Sequence, residues 1–144
     1  MNKLILVMGL PGSGKTHTAQ KLVQTFKDAG YFCNWFNADK VRKEANDWDF
    51  SPTGRDRAAA RMRTNVNNSP FEFNVVDMVS PTPHTRDILK PDYIIWMDTI
   101  KEGRFDDTNE MFVPPENPDY TLSKYYTTED IKNIMPELYK LTEK

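Results

Sequence analysis

Residues 4–16 read LILVMGLPGSGKT, an apolar run that leads directly into a glycine-rich turn. Within it, residues 9–16 have the uninterrupted spacing G-x-x-x-x-G-K-[ST]. Between a strand and a helix, this spacing is typical of a phosphate-binding loop, because the glycines allow backbone N–H groups to surround the phosphates of a nucleotide. The alternative is a flexible glycine turn behind a buried strand, with no ligand. The stretch therefore predicts a strand, a nucleotide site and a helix, in that order.

The predicted nucleotide site combines backbone amides with two polar side chains. We expect Lys15 to face solvent without a ligand and to bring its charge to the β- and γ-phosphates of ATP, which makes it a candidate catalytic residue. The Thr16 hydroxyl is a natural ligand for Mg²⁺. ATP and Mg²⁺ are thus the expected cofactors. The residues expected to bind the nucleotide are Gly9, Leu10, Pro11, Gly12, Ser13, Gly14, Lys15, Thr16 and Thr18.

Composition limits the partners of the chain. Its 144 residues are enough for a single domain, residues 1–144, with a proper core. With 19 basic and 21 acidic residues the net charge is −2, so we expect no nucleic-acid and no membrane partner. Cys33 is the only cysteine, which predicts a reduced thiol in a cytoplasmic protein. The apolar run at 4–8 is too short for a signal sequence, and no run is long enough for a transmembrane helix.

Hydrophobic periodicity alternates between helix and strand along the chain. Strands are predicted at residues 4–8, 31–36, 71–79 and 93–97. Helices are predicted at residues 16–29, 39–44 and 82–89, from Ser51-Pro52 onward, and from Thr127 onward, where Pro136 should kink or split the helix. Residues 99–124 lack a clear period and are predicted to form a long lid/acceptor loop. The alternation predicts an α/β three-layer sandwich with a mostly parallel central sheet and helices on both faces.

Polar clusters follow each predicted strand, at the sheet edge where open α/β sheets bind ligands. Asp39 is placed to accept a proton from a substrate hydroxyl or to hold Mg²⁺, although a helix N-cap would explain it equally well. Arg42 and Arg55 are placed to clamp a second anion, although a solvated helix face is the commoner role of a single arginine. The sequence has no N-K-x-D motif and no strand ending in a Walker-B pair of acids. Small-molecule phosphoryl transfer is therefore favoured over a GTPase or a motor.

These segments resemble the adenylylsulfate kinases (APS kinases). Residues 9–16 resemble that family's G-L-x-G-x-G-K-T loop, and residues 37–42 its D-G-D-x-V-R segment. Phe50-Ser51, followed by Arg55 and Arg61, is similar to F-S-x-x-D-R-x-x-N-x-R-R. The turn at 79–81, residues 97–99 and residues 111–119 resemble I-S-P, V-D-T and Y-E-x-P-x-N-P. The matches keep the family's order over residues 3–120.

The resemblance implies a P-loop kinase-like fold and transfer of the ATP γ-phosphoryl group to the 3′-hydroxyl of adenosine 5′-phosphosulfate (APS), giving 3′-phosphoadenylyl sulfate in sulfate assimilation. It also implies Mg²⁺, a mobile lid, a possible homodimer, and an acceptor purine between two phenylalanine rings. By this resemblance Phe50 is expected to be one of the two stacking rings, and Phe105 is the candidate for the other. The alternative role for each is packing in the core. Asp39 carries over as a catalytic and metal-binding acid. The implied substrate-binding residues are Asn37, Asp39, Arg42, Phe50, Arg55, Ser80, Pro81, Lys101 and Phe105.

Three departures from the family keep other functions open. Asn37 replaces a usual Asp, Ala58 replaces a substrate-contacting Asn, and the lid lacks the R-D-x-K-G-L-Y stretch whose Arg covers the ATP phosphates. We hypothesise that Lys101 or Arg104 replaces that charge. A kinase for another hydroxyl acceptor (a nucleoside, a sugar or a polynucleotide 5′ end) is one alternative. A nucleotide-binding protein without catalysis is the other.

A polynucleotide acceptor would need a basic groove. The chain offers one modest cluster, whose helical spacing is equally typical of a solvated helix face: Arg55, Arg57, Arg61 and Arg63.

Overall fold

A five-stranded, wholly parallel sheet organises the chain in the computed structural model, which describes residues 2–143. The strand order is β2-β3-β1-β4-β5, so the strand before the glycine-rich turn lies at the centre. The register pairs Val7 with Asp77 on one side and with Ile95 on the other. The strands are β1 (Lys3–Met8), β2 (Cys33–Asn37), β3 (Phe73–Asp77), β4 (Tyr93–Met97) and β5 (Tyr120–Leu122).

Helices connect the strands, and several begin at the residues that the sequence indicates. Ser51 caps the third helix by accepting a hydrogen bond from the Gly54 amide at 3.1 Å. Thr127 and Asp130 form a capping box at the start of the last long helix. The helices are α1 (Lys15–Asp28), α2 (Ala38–Ala45), α3 (Pro52–Asn67), α4 (Pro83–Leu89), α5 (Asp106–Met111) and α6 (Thr128–Tyr139), followed by a 3₁₀ turn at Lys140–Thr142.

Two apolar cores cover the two faces of the sheet. Alternate residues of β1 enter opposite cores, because side chains alternate across a strand. On one face, Ile5 and Val7 pack in the same core as Phe26 of α1 and Ile134 of α6. On the other face, Leu4, Leu6 and Met8 share a core with Ala58, Ala59, Met62 and Val66 of α3 and Leu89 of α4. This arrangement confirms the predicted α/β sandwich with helices on both faces.

Two local predictions were wrong, and a third was wrong in part. Residues 99–124 are not one continuous loop, since they contain the short elements α5 and β5. Of the two outcomes predicted for Pro136, a kink or a split, the split does not occur, because α6 continues through Pro136 to Tyr139. Strand β3 ends at Asp77, two residues before the predicted end, and this difference alters the composition of the site.

Two further features bear on the chemistry of the chain. Cys33 is a free, buried thiol, and burial raises its pKa to about 12. Across residues 2–143, no helix combines the length and apolar character needed to cross a membrane.

Candidate functional site

The turn between β1 and α1 brings its backbone unusually close to neighbouring groups. A Cβ on Gly9 would lie 2.7 Å from Ser13 Oγ and 2.8 Å from the Met97 carbonyl oxygen. Gly14 has a φ of 96° and rests against the ring of Tyr125, 2.5 Å from where its Cβ would be. Only glycine fits these positions without strain. The turn is therefore tightly built, as a backbone phosphate cradle requires.

The Lys15 side chain folds back over this turn. Its Nζ donates a hydrogen bond to the Leu10 carbonyl at 3.1 Å, and the side chain is partly buried, so the expectation of a solvent-facing lysine was wrong. Burial lowers the pKa of Lys15, while the nearby carboxylates of Asp77 and Asp39 act in the opposite direction. The ammonium group is held at the mouth of the turn, where it can exchange the Leu10 carbonyl for a phosphate oxygen.

Asp77 occupies the floor of the site beside Thr16. Its Oδ2 accepts hydrogen bonds from Thr16 Oγ1 at 2.7 Å and from Asn37 Nδ2 at 2.9 Å, and the residue is only 2% exposed. The sequence did not indicate Asp77, because the strand was predicted to extend to Val79 and no pair of adjacent acids follows it. One feature of the sequence could have indicated Asp77: it is a single acid at the end of a short, largely apolar strand. Asn37 also caps α2 by accepting from the Lys40 amide at 3.0 Å, so the N-cap alternative for Asp39 was wrong.

The chemistry of this floor fits a magnesium-bound nucleotide. A hydroxyl oxygen and a carboxylate oxygen, from Thr16 and Asp77, are the ligands that Mg²⁺ prefers. Asp39 lies in the first turn of α2, is exposed and lines the same pocket. Within residues 2–143 there is no cluster of three or more acidic, histidine or cysteine side chains suited to a metal. A magnesium ion here would therefore take its remaining ligands from phosphate and water.

A pocket of about 540 Å³ opens between the glycine-rich turn, α2, α3 and the segment before α5, and we call it the acceptor pocket. This volume lies in the range of small-molecule sites. The pocket contains seven of the predicted functional side chains, namely Lys15, Thr16, Asn37, Asp39, Phe50, Arg55 and Phe105, together with Pro11 and Gly12. Side chains that the sequence did not indicate are Trp48, Asp77, Asp107 and Thr108. Arg104 also lines it, as one of the two hypothesised lid charges.

The two predicted anion-binding arginines are buried against the Phe50 ring, so the solvated-face alternative was wrong for both. Arg42 NH1 donates to the carbonyl oxygens of Asp47 and Asp49, both at 3.1 Å, and its guanidinium carbon lies 4.4 Å from the Phe50 ring centre. Arg55 NH2 donates to Thr108 Oγ1 at 2.8 Å. Burial lowers the pKa of both arginines. Only Arg55 lines the acceptor pocket.

Ion pairs fix the segment 46–51 that carries Trp48 and Phe50. Asp47 pairs with Arg57 at 3.2 Å and with Arg61 at 2.9 Å. The hydrogen bonds from these arginines hold the pKa of Asp47 well below its ordinary value. Arg63 donates instead to Asn67 and to backbone carbonyls. The arginines of α3 are thus engaged within the chain, which argues against an open basic groove for a polynucleotide.

Nine predicted residues do not line the acceptor pocket, namely Gly9, Leu10, Ser13 and Gly14 of the turn, Thr18, Arg42, Ser80, Pro81 and Lys101. Ser80 is buried with a φ of 47°, and its hydroxyl shares a hydrogen bond of 3.0 Å with the Thr85 hydroxyl. Pro81 is buried beside it, and its carbonyl accepts from the Val113 amide at 2.7 Å. Lys101 is exposed and lies 3.5 Å from Asp98. Thr18 is fully buried in α1.

A second groove, of about 680 Å³, lies on the outer side of the glycine-rich turn, and we call it the outer groove. It shares Gly12, Lys15 and Thr16 with the acceptor pocket. The other residues that line it are Gly14, His17, Gln20 and Tyr125. Two cavities therefore meet at the residues predicted to hold the phosphates, which suits a donor and an acceptor bound at the same time.

The fold is that of the P-loop kinases. The APS kinase CysC of Mycobacterium tuberculosis, in a structure with AMPPNP and APS, superposes with a TM-score of 0.73 at 19% identity, covering 99% of this chain and 98% of that one. A mutant of the same enzyme gives 0.74 at 21% identity over 96% and 98%. Kti12 of Chaetomium thermophilum, bound to ADP-AlF3, gives 0.67 at 14% identity over 96% and 98%. At such identities the likeness concerns the fold.

The family assignment comes from the N-terminal part of the chain. The model of the family described as "Chromatin associated protein KTI12" matches residues 2–77, which is more than half of the sequence. The chain belongs to the KTI12 family. The match ends at Asp77, the buried carboxylate that accepts a hydrogen bond from Thr16. The resemblance to APS kinases therefore holds as a relationship of fold, and no curated protein sequence matches the chain.

Proposed function

We propose that this protein transfers the γ-phosphoryl group of ATP to a hydroxyl group of a small acceptor, and that APS is that acceptor. The observation that carries the proposal is the convergence of Asp39, Phe50 and Phe105 on one pocket with Lys15. These residues come from four separate stretches of the chain. Their common position beside a phosphate loop is what a phosphotransferase needs and what a structural strand-helix turn does not.

Aromatic side chains support a nucleotide-like acceptor. Phe50 is 41% exposed and Phe105 is 54% exposed, although both line a pocket. Trp48 lies beside Phe50, with ring centres 6.4 Å apart. Core packing, the alternative role for each phenylalanine, does not fit such exposure. Stacking of a base on an aromatic ring contributes about 1–3 kcal/mol.

Charged side chains supply the chemistry of the step. Asp39 accepts the proton of the acceptor hydroxyl while that oxygen forms a bond to the γ-phosphorus and the bond to the β,γ-bridging oxygen breaks, releasing ADP. Lys15 stabilises the charge on the transferred group. Arg104 is favoured over Lys101 as the substitute lid charge, because Arg104 lines the acceptor pocket and Lys101 does not. Charge stabilisation of this kind is the largest contribution to such reactions.

Thr16 and Asp77 would hold Mg²⁺, which neutralises phosphate charge when bound. Asn37 keeps the Asp77 carboxylate fixed through the 2.9 Å hydrogen bond. APS kinases usually have an Asp at the position of Asn37, and Asp77 would supply the negative charge that Asn37 lacks. Arg55 would contact the phosphosulfate, because it lines the acceptor pocket and Arg42 does not.

The family whose model matches the chain is described as chromatin associated and not as a kinase, which favours a second candidate, the nucleotide-binding protein without catalysis. Two departures from the APS kinase pattern support it. Ala58 is buried in the core and cannot replace the substrate-contacting Asn, and Arg42 faces the segment 46–51.

The two candidates differ in what stimulates ADP release. Purified protein with Mg-ATP is offered APS, adenosine 5′-monophosphate, a sugar panel or an oligonucleotide in turn. We expect release with APS alone, at least tenfold above the rate without an acceptor. Stimulation by another acceptor would replace APS in the proposal. Equal release under all conditions, with measurable ATP binding, would establish the second candidate.

A further inference from the structure

The outer groove continues the phosphate site away from the acceptor pocket. Both cavities include Gly12, Lys15 and Thr16, but the outer groove alone extends past His17 and Gln20. A triphosphate held by the turn has one end at the acceptor. Its other end, which carries the nucleoside, must then leave along the outer groove.

Aromatic side chains flank this exit. Tyr125 is 61% exposed, yet its ring lies against the backbone of Gly14. His17 is exposed on the first turn of α1 and stacks on Tyr126, with ring centres 5.1 Å apart and an angle of 19° between the planes. Tyr125 and Tyr126 follow β5, so the segment after the edge strand reaches back to the phosphate turn.

The chemistry of the groove is poor in features that distinguish one purine from another. A carboxylate that faces the base would select guanine, because it only accepts hydrogen bonds, and none of the described residues that line the groove is acidic. The Gln20 amide both donates and accepts, so it suits the edge of either adenine or guanine. Stacking on an aromatic ring is tolerant of base identity, because every base has a π-face.

We propose that the outer groove binds the base of the donor nucleotide by stacking on Tyr125 and His17, and that it accepts adenine and guanine with similar affinity. The inference rests on the proposed function, since it assumes a nucleoside triphosphate on the phosphate turn. It adds a base subsite and a donor class, purine nucleoside triphosphates, to that proposal.

Calorimetry with three magnesium-complexed probes separates the base from the phosphates. ATP, GTP and tripolyphosphate are titrated into the wild-type protein, Tyr125→Ala, Tyr125→Phe and Phe32→Ala. Phe32 is the matched control, because it is an aromatic residue 77% exposed just before β2, at the opposite end of the parallel sheet from the phosphate turn. The melting temperatures of all variants are compared to detect loss of folding. Tyr125→Phe keeps the aromatic ring and remains informative if Tyr125→Ala is unstable.

We expect Tyr125→Ala to raise the Kd of ATP and of GTP about tenfold and to leave the Kd of tripolyphosphate within twofold. Tyr125→Phe and Phe32→Ala should bind like the wild type, and wild-type Kd values for ATP and GTP should agree within tenfold. The inference alone would be overturned if Tyr125→Ala bound ATP as tightly as the wild type, or if it lost tripolyphosphate affinity to the same extent as ATP affinity. A hundredfold preference of the wild type between ATP and GTP would also overturn it. Failure of the wild-type protein to bind any probe would overturn the proposed function with it.

Discussion

Replacing Asp77 by Asn tests whether the buried carboxylate under the phosphate turn serves the nucleotide. Both side-chain hydrogen bonds to Asp77, from Thr16 and Asn37, end on Oδ2. An asparagine can place its single carbonyl oxygen at that point and keep both donors satisfied. The substitution therefore removes the charge while preserving the shape of the floor.

The magnitudes follow from these contacts. Two charge-assisted hydrogen bonds become neutral, which costs about 1 kcal/mol each, so the free energy of unfolding should fall by at most about 2 kcal/mol. The pKa of Lys15 should fall further, because Asp77 is the main group that opposes its lowering by burial. Loss of a carboxylate that supports a metal site reduces metal affinity or activity about 10- to 100-fold. Function should thus suffer far more than folding.

The assay is ATP-dependent turnover measured against Mg²⁺ concentration, together with urea denaturation. Asp98→Asn is the matched control, because Asp98 also follows a parallel strand at the same sheet edge but lies outside both cavities. We expect Asp77→Asn to need at least tenfold more Mg²⁺ or to lose at least tenfold in kcat, with Asp98→Asn unchanged. Wild-type kcat and Mg²⁺ dependence in Asp77→Asn would refute the assigned role.

Four other variants test three separate parts of the account. Arg104→Ala should lower kcat at least tenfold and Lys101→Ala less than twofold in steady-state assays, because only Arg104 lines the acceptor pocket; equal effects would remove this distinction. Phe50→Ala should raise the acceptor KM about tenfold through lost stacking while the ATP KM stays constant, and an unchanged acceptor KM would contradict the stacking role. Asp47→Asn should lower the melting temperature at pH 7, because Arg57 depresses the pKa of Asp47 from its ordinary value of 3.8. The difference from the wild type should shrink as the pH falls below 3.8, because the stabilisation is lost when the carboxylate is protonated. A difference that does not change with pH would show that the ion pair is not responsible.

The overall fold could be predicted from the sequence because its signals are local and strong. The glycine spacing of residues 9–16 requires a strand before it and a helix after it, and the apolar run at 93–97 indicates a strand buried on both faces. The capping box of Thr127 and Asp130 and the Ser51-Pro52 helix start are local signals of the same kind. The short elements α5 and β5 were missed because six and three residues are too few to show a period.

The missed parts of the site depend on contacts between distant residues. Asp77 becomes part of the phosphate floor because parallel pairing sets it beside Val7, just before the turn, and because Thr16 donates to it from α1. The burial of Arg42 and Arg55 results from both guanidinium groups packing on the Phe50 ring, which periodicity within one helix does not reveal. Distances of this kind are properties of the assembled fold.

Transfer of label from [γ-³²P]ATP tests the central proposal most directly, because it distinguishes phosphoryl transfer from hydrolysis. Purified wild-type protein and Lys15→Ala are incubated with Mg²⁺, labelled ATP and APS, and the products are separated. We predict that the label appears in 3′-phosphoadenylyl sulfate with the wild-type protein and that Lys15→Ala forms none. Label found only as inorganic phosphate, or retained in ATP, would contradict the account.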